Sequence, residues 1–81
     1  MRIIDIISVT DYLNSPLQFS QHESPTKINI HWVDRRRKVH VTSVTKNKLK
    51  KVIRDYYNYN NIEVNEFINK RLDFDLYGDF K

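Results

Sequence analysis

Three consecutive arginines and a lysine, at positions 35–38, are the residues of this sequence with the clearest chemistry. Neighbouring guanidinium groups repel one another, and each can donate a pair of parallel hydrogen bonds to a phosphate or a carboxylate. Charged side chains in a turn are also well solvated, so a plain surface loop is the alternative interpretation. We favour an anion contact, because an anionic partner relieves the mutual repulsion of the arginines.

A second group of basic residues recurs at helical spacing shortly after this run. Lys46, Lys50 and Arg54 are four positions apart and fall on one helix face, with Lys48 and Lys51 beside them. A lysine-rich helix face is most often simply solvated, and that interpretation stays open. Because few residues separate the two groups, we predict one continuous positive surface that contacts phosphates through charge rather than through base recognition.

The candidate partner-binding set combines these cations with two tyrosines that follow the basic helix. Tyr57 and Tyr59 are expected to be exposed, and exposed tyrosines beside cations suit either nucleic acid or a protein partner. The full set is Arg35, Arg36, Arg37, Lys38, Lys46, Lys50, Lys51, Arg54, Tyr57 and Tyr59.

The charge of the chain is divided unevenly. Residues 27–54 contain ten basic side chains and one acidic one, whereas the rest of the chain contains four basic and nine acidic ones. The net charge of +4 therefore hides a strongly positive pole. A field of this kind steers anionic partners towards the protein.

Catalysis and cofactor binding find little support in the sequence. There is no cysteine and only one glycine, so thiolate metal sites and glycine-rich phosphate loops are excluded. His31 and His40 are expected to face each other across a hairpin, which is geometry for a metal or for acid–base chemistry, but a third ligand is not evident. We predict a protein that is not an enzyme, with no catalytic residues, metal or cofactor.

The segment 27–43 predicts a β-hairpin, because apolar and polar residues alternate on both sides of the basic run. A register that pairs Trp32 with Val39 places the large apolar residues of both arms on one face. Arginines are unusual in a two-residue turn, so a four-residue loop over 34–37 is predicted. Trp32 is expected in the core, with a stacking platform for a base as the alternative.

The remaining patterns predict a single α+β domain over residues 1–81, with the sheet packed against two C-terminal helices. The predicted elements are a third strand over 2–7, a short helix over 9–14, a loop over 15–26, helices over about 46–58 and 62–72, and an extended or mobile tail over 73–81. Thr45 or Ser43 is expected to cap the first long helix, and Asn60 with Glu63 the second. The predicted core is Ile4, Ile6, Leu13, Ile28, Ile30, Trp32, Val39, Val41, Leu49, Val52, Ile53, Tyr56, Val64, Phe67, Ile68 and Leu72.

Two functional hypotheses follow from the positive surface. In the first, a small binding protein contacts nucleic-acid backbone, or a nucleoprotein, through the hairpin tip and the basic helix. In the second, an inhibitor or adaptor from a phage or mobile element binds an acidic surface of a host protein. The absence of alanine and the total of 30 Asn, Ile, Lys and Tyr residues indicate an AT-rich genome, which suits such an origin. No apolar run is long enough to span a membrane, and a cytoplasmic location is the simplest expectation.

Overall fold

The protein combines a four-stranded sheet with three helices, in a computed structural model that describes residues 2–74. This arrangement confirms the predicted α+β class. In chain order the elements are α1 (Ile3–Leu13), β1 (Gln18–Gln21), β2 (Lys27–Val33), β3 (Val39–Thr45), α2 (Lys46–Tyr57), α3 (Asn61–Asn69) and β4 (Leu72–Phe74).

The sheet has the strand order β3-β2-β1-β4, so β3 and β4 are its two edges. β2 pairs antiparallel with both β1 and β3, whereas β4 runs parallel to β1. One face of the sheet contributes buried residues to the core, and the helices cover that face. The core consists of Ile6, Ile7, Leu17, Phe19, Ile28, Ile30, Trp32, Leu49, Ile53, Val64, Phe67 and Ile68.

The N-terminal segment is a helix, so the strand predicted over 2–7 is wrong. Ile3, Ile6, Ile7 and Thr10 recur at helical spacing, and the last three of them are buried. The hydroxyl of Thr10 donates a 2.8 Å hydrogen bond to the carbonyl of Ile6 within the helix. The β-branched residues favour a strand locally, but burial of this stripe against the sheet outweighs that preference. The helix predicted over 9–14 is the C-terminal part of α1.

The third strand of the sheet lies instead within the segment predicted as a loop over 15–26. β1 buries Phe19 completely, and Leu17 just before it is also buried. Neither residue was in the predicted core. The strand is only four residues long and mostly polar, so its sequence lacks the alternation that would identify it.

Both C-terminal helices are confirmed, and so are their caps. The Thr45 side chain accepts a hydrogen bond from the backbone amide of Lys48. Asn60 and Glu63 form a reciprocal capping box at the start of α3. That helix ends at Asn69, earlier than predicted, and Leu72 belongs to β4 instead. The start of the predicted 73–81 tail therefore pairs with the sheet, and residues 75–81 lie outside the described part of the chain.

The hairpin is confirmed, but its register differs from the predicted one by one residue. Trp32 is opposite His40, and Val33 is opposite Val39. Val39 and Val41 therefore point away from the helices and are 71% and 59% exposed. They were predicted in the core, as were Ile4 and Tyr56, which are also exposed. The extra residue that shifts the register lies in the loop that joins β2 to β3.

Candidate anion-binding site

The loop at the hairpin tip is held in one conformation by its own backbone. The amide of Asp34 donates to the carbonyl of Lys38 at 2.9 Å, and the amide of Arg37 donates to the carbonyl of Asp34 at 3.0 Å. Arg37 has φ 67°, in the left-handed region. A tight turn followed by a left-handed residue is a common hairpin loop, but its left-handed position favours glycine. The loop has one residue more than the predicted loop over 34–37, and this extra residue explains the one-residue shift in register.

The carboxylate of Asp34 fixes the loop from inside. Its Oδ1 accepts hydrogen bonds from the backbone amides of Arg36 at 2.8 Å and Lys38 at 3.0 Å. Its Oδ2 lies 2.7 Å from Nε2 of His40. The hydrogen bond with His40 and those from the two amides lower the pKa of Asp34 to about 2. The ionised carboxylate is therefore part of the loop structure at any ordinary pH.

His40 connects this loop to the core. Its ring stacks on the indole of Trp32, with centroids 4.5 Å apart and planes 22° apart. The indole nitrogen of Trp32 donates to the Thr42 hydroxyl at 2.9 Å, and Trp32 is only 5% exposed. The prediction of a core tryptophan is confirmed. A continuous chain of contacts thus runs from the core to the loop that presents the arginines.

The three arginines of the tip have different surroundings. The guanidinium of Arg35 lies 5.3 Å from the centre of the Tyr12 ring, within reach of a cation–π contact. Arg36 is exposed and lines, with Asp5, a cleft between the tip and α1. Arg37 is exposed as well, and among the described residues neither Arg36 nor Arg37 forms an ion pair with a carboxylate. Their guanidinium groups are available for an anionic ligand.

The basic residues of α2 begin at the other end of β3, so the first turn of the helix is remote from the tip. Strand β3 has seven residues, which at ~3.3 Å each separate the tip from the start of α2 by about 23 Å. Lys51 and Arg54 are exposed, whereas Lys46 and Lys50 are half-buried. The tip and the start of α2 therefore form two basic regions at opposite ends of β3.

The region near the start of α2 includes cations that the candidate set omitted. Arg2, Lys27, Lys48 and Lys51 line one cleft of about 540 Å³. We call these four residues the distal basic cluster. Only the fold brings Arg2 and Lys27 to the helix, so periodicity within α2 could not have identified them.

The two tyrosines of the candidate set are packed together instead of standing free. The rings of Tyr57 and Tyr59 stack with centroids 5.2 Å apart, and both contact Phe67. The Tyr57 hydroxyl donates to both carboxylate oxygens of Asp11 at 3.1 Å. Burial and the nearby Asp11 carboxylate raise the pKa of Tyr57. Their packing indicates a structural role in joining α1, α2 and α3.

The two hairpin histidines lie on opposite faces of the sheet, so the predicted pairing of His31 with His40 is wrong. Nε2 of His31 lies 2.7 Å from the Ser20 hydroxyl on the open face. The shifted register accounts for this separation, because side chains alternate along a strand. Within residues 2–74, no group of three or more His, Asp or Glu side chains is arranged to hold a metal ion.

No protein-family model matches the chain, and neither a curated protein nor a solved structure is significantly similar to it. Among the helices of the described segment, none is long and apolar enough to cross a membrane.

Proposed function

We propose that this chain is a non-catalytic binding protein whose hairpin tip contacts the phosphate backbone of nucleic acid. Arg36 and Arg37 supply the contacts, and Arg35 adds positive charge from its position over Tyr12. Guanidinium groups match phosphate oxygens in charge and geometry, and such contacts carry no base specificity. The mechanism is therefore electrostatic, with counterion release as its driving force.

The single observation that carries this proposal is an arginine in a position that favours glycine. Arg37 has φ 67°, a conformation that costs an ordinary residue about 1–2 kcal/mol. A glycine would avoid that cost, so the strained arginine suggests that its side chain is used. The hydrogen bonds that the Asp34 carboxylate accepts from the loop also favour binding at the tip, because a rigid loop loses little conformational entropy when it binds.

The exposed cations near α2 are the second contact in this proposal. A gap of about 23 Å corresponds to roughly seven phosphates along one strand, at ~3.4 Å each. Lys48 and Lys51 of the distal basic cluster are exposed at the far end of that span. A duplex long enough to reach both regions should bind more tightly than one that reaches the tip alone.

The test is a titration of labelled duplex and single-stranded oligonucleotides at several salt concentrations. Affinity should fall steeply with salt, by a log–log slope of about 0.9 per phosphate contacted on a duplex, and unrelated sequences should bind alike. Duplexes shorter than about seven base pairs should bind more weakly and give a smaller slope.

Matched charge reversals locate the contact. Arg36→Glu should weaken binding by about tenfold or more, because it replaces an attraction with a repulsion. Lys70→Glu makes the same change in net charge at an exposed position at the end of α3 and should have little effect. Equal losses in the two variants would mean that net charge matters and the tip does not. If neither oligonucleotide binds at tens of micromolar in low salt, the proposal is wrong, and an inhibitor or adaptor of an acidic host protein becomes the function to test.

A further inference from the structure

The outer edge of β3 is an unpaired strand that lacks the usual protection against pairing with another chain. Its sequence, VHVTSVT, contains no formally charged residue and no proline. Natural proteins commonly shield a long edge with charges, prolines or bulges, or they keep it very short. The opposite edge, β4, is only three residues long in comparison.

The hydrogen-bond pattern shows which groups of β3 face outward. The backbone amide of Asp34 donates to the carbonyl of Lys38 at one end of the hairpin ladder. At the other end, the backbone amide of Lys46 donates to the carbonyl of Thr26. In an antiparallel pair, bonded and non-bonded positions alternate, so the even-numbered residues of β3 bond to β2. The amides and carbonyls of Val39, Val41 and Ser43 therefore point to the open edge. In the described part of the chain no other backbone group pairs with them.

The same three residues also expose side chains suited to a neighbouring strand. Val39 and Val41 are 71% and 59% exposed, and Ser43 is exposed beside them. β-Branched side chains pack well against residues on an adjacent strand. An added strand would thus gain backbone hydrogen bonds from this edge and apolar contacts with the two valines.

Positive charge flanks this edge at both ends. Arg37 and Lys38 lie where β3 begins, and the distal basic cluster lies where β3 ends. The cleft of that cluster also contains apolar side chains, including Ile4 at 42% exposure and Val52. A partner strand with carboxylates at its ends and apolar residues in its sequence complements these features.

The β3 edge of a second copy of this chain is a poorer match for the same edge. Antiparallel pairing of two β3 strands about Val41 would place the arginine tip of one copy beside the start of α2 in the other. Each end of the joint sheet would then bring together two clusters of like charge. Such juxtaposition is repulsive in an interface.

We propose that the outer edge of β3 is a docking site for an extended, acidic segment of a partner protein, which pairs with residues 39–43 as an additional strand. Backbone hydrogen bonds provide the affinity, and the flanking cations select acidic ends. This inference does not rest on nucleic-acid binding, because it depends on the strand edge and its exposed valines.

The test uses a blocked peptide about as long as β3, with alternating threonine and valine in the middle and two aspartates at each end. On binding, hydrogen exchange should slow at the amides of Val39, Val41 and Ser43. The amides of His40 and Thr42, which already bond to β2, should change little. A peptide with lysines in place of the aspartates should bind about tenfold more weakly or worse, because the flanking charges then repel it.

Two substitutions at one position separate edge pairing from general attraction. Val41→Pro removes an outward amide without breaking the ladder to β2, so the domain should stay folded while peptide affinity falls about tenfold or more. Val41→Thr keeps the amide and a β-branched side chain, so it should lose much less affinity than the proline variant does. Unchanged binding by the proline variant, or slowed exchange at amides outside β3, would overturn the proposal. So would a dimer whose β3 amides are protected without peptide, because the second copy would then occupy the edge.

Discussion

Replacing Arg37 with glycine is expected to stabilise the protein and, at the same time, to weaken its binding to nucleic acid. The residue has φ 67°, where the Cβ atom of an L-amino acid crowds the following carbonyl. Its side chain is exposed and has no ion pair among the described residues, so little is lost from the folded state when the side chain is removed. The two effects have opposite signs and separate causes.

The size of the stabilisation follows from two opposing terms. Relief of the left-handed conformation is worth about 1–2 kcal/mol. Glycine has more freedom in the unfolded chain, which costs about 0.5–1 kcal/mol. The free energy of unfolding should therefore rise by roughly 0.5–1 kcal/mol, and Tm by about 2–8 °C for a domain of this size. Loss of one phosphate contact should reduce the salt slope of binding by about 0.9.

Arg36→Gly is the matched control, because it removes the same side chain from a residue whose φ is not positive. Both variants keep the backbone amide and lose one charge. The control should lose about 0.5–1 kcal/mol, since it adds glycine entropy without relieving strain. Urea unfolding and thermal melts would measure both variants, and oligonucleotide titrations would measure their affinities. If Arg37→Gly is no more stable than Arg36→Gly, the argument from backbone strain is refuted.

Two further predictions concern the supports of the tip. Trp32→Ala should lower the free energy of unfolding by about 3–5 kcal/mol, measured by denaturant melts, because the indole is buried and stacks on His40; a loss below about 1 kcal/mol would contradict its place in the core. The hydrogen bonds that lower the pKa of Asp34 to about 2 contribute stability that is complete above the pKa of an unfolded aspartate and is lost as the pH falls through about 2. The wild type should therefore lose stability in acid melts between about pH 4 and 2, and Asp34→Asn should lack this part of the acid transition; an identical pH dependence in both proteins would contradict the assigned role.

The two C-terminal helices and the hairpin could be predicted because their local signals agree with their packing. In α2 the apolar stripe, the Thr45 cap and the absence of glycine or proline all favour the same helix. The Asn60–Glu63 box likewise marks the start of α3. The N-terminal isoleucines lack this agreement, because their β-branched side chains favour a strand and their spacing favours a helix. Contacts with the sheet decide between the two, and those contacts cannot be read from the segment itself.

The candidate site, too, could be predicted only where local sequence signals were sufficient. Placing the arginines in the hairpin loop required only the alternating pattern on either side. The loop conformation depends on Arg37 in a left-handed position, which arginine rarely adopts, and so the register was predicted one residue out. The roles of Asp34 and His40 depend on that register as well. Val39 and Val41 were wrongly predicted in the core, because apolar residues on an open sheet face have the same sequence pattern as buried ones.

The parallel pairing of β1 with β4 has a consequence for the order in which the domain folds. Phe19 pairs with Leu72, so the two strands are far apart in the sequence, with all of the hairpin and two helices between them. Closing so long a loop costs conformational entropy, and contacts between residues close in sequence do not offset this cost. The β2–β3 hairpin should therefore form early in folding and the β1–β4 contact late. Substitutions that weaken β4 should mainly accelerate unfolding, whereas substitutions in the hairpin should mainly slow folding.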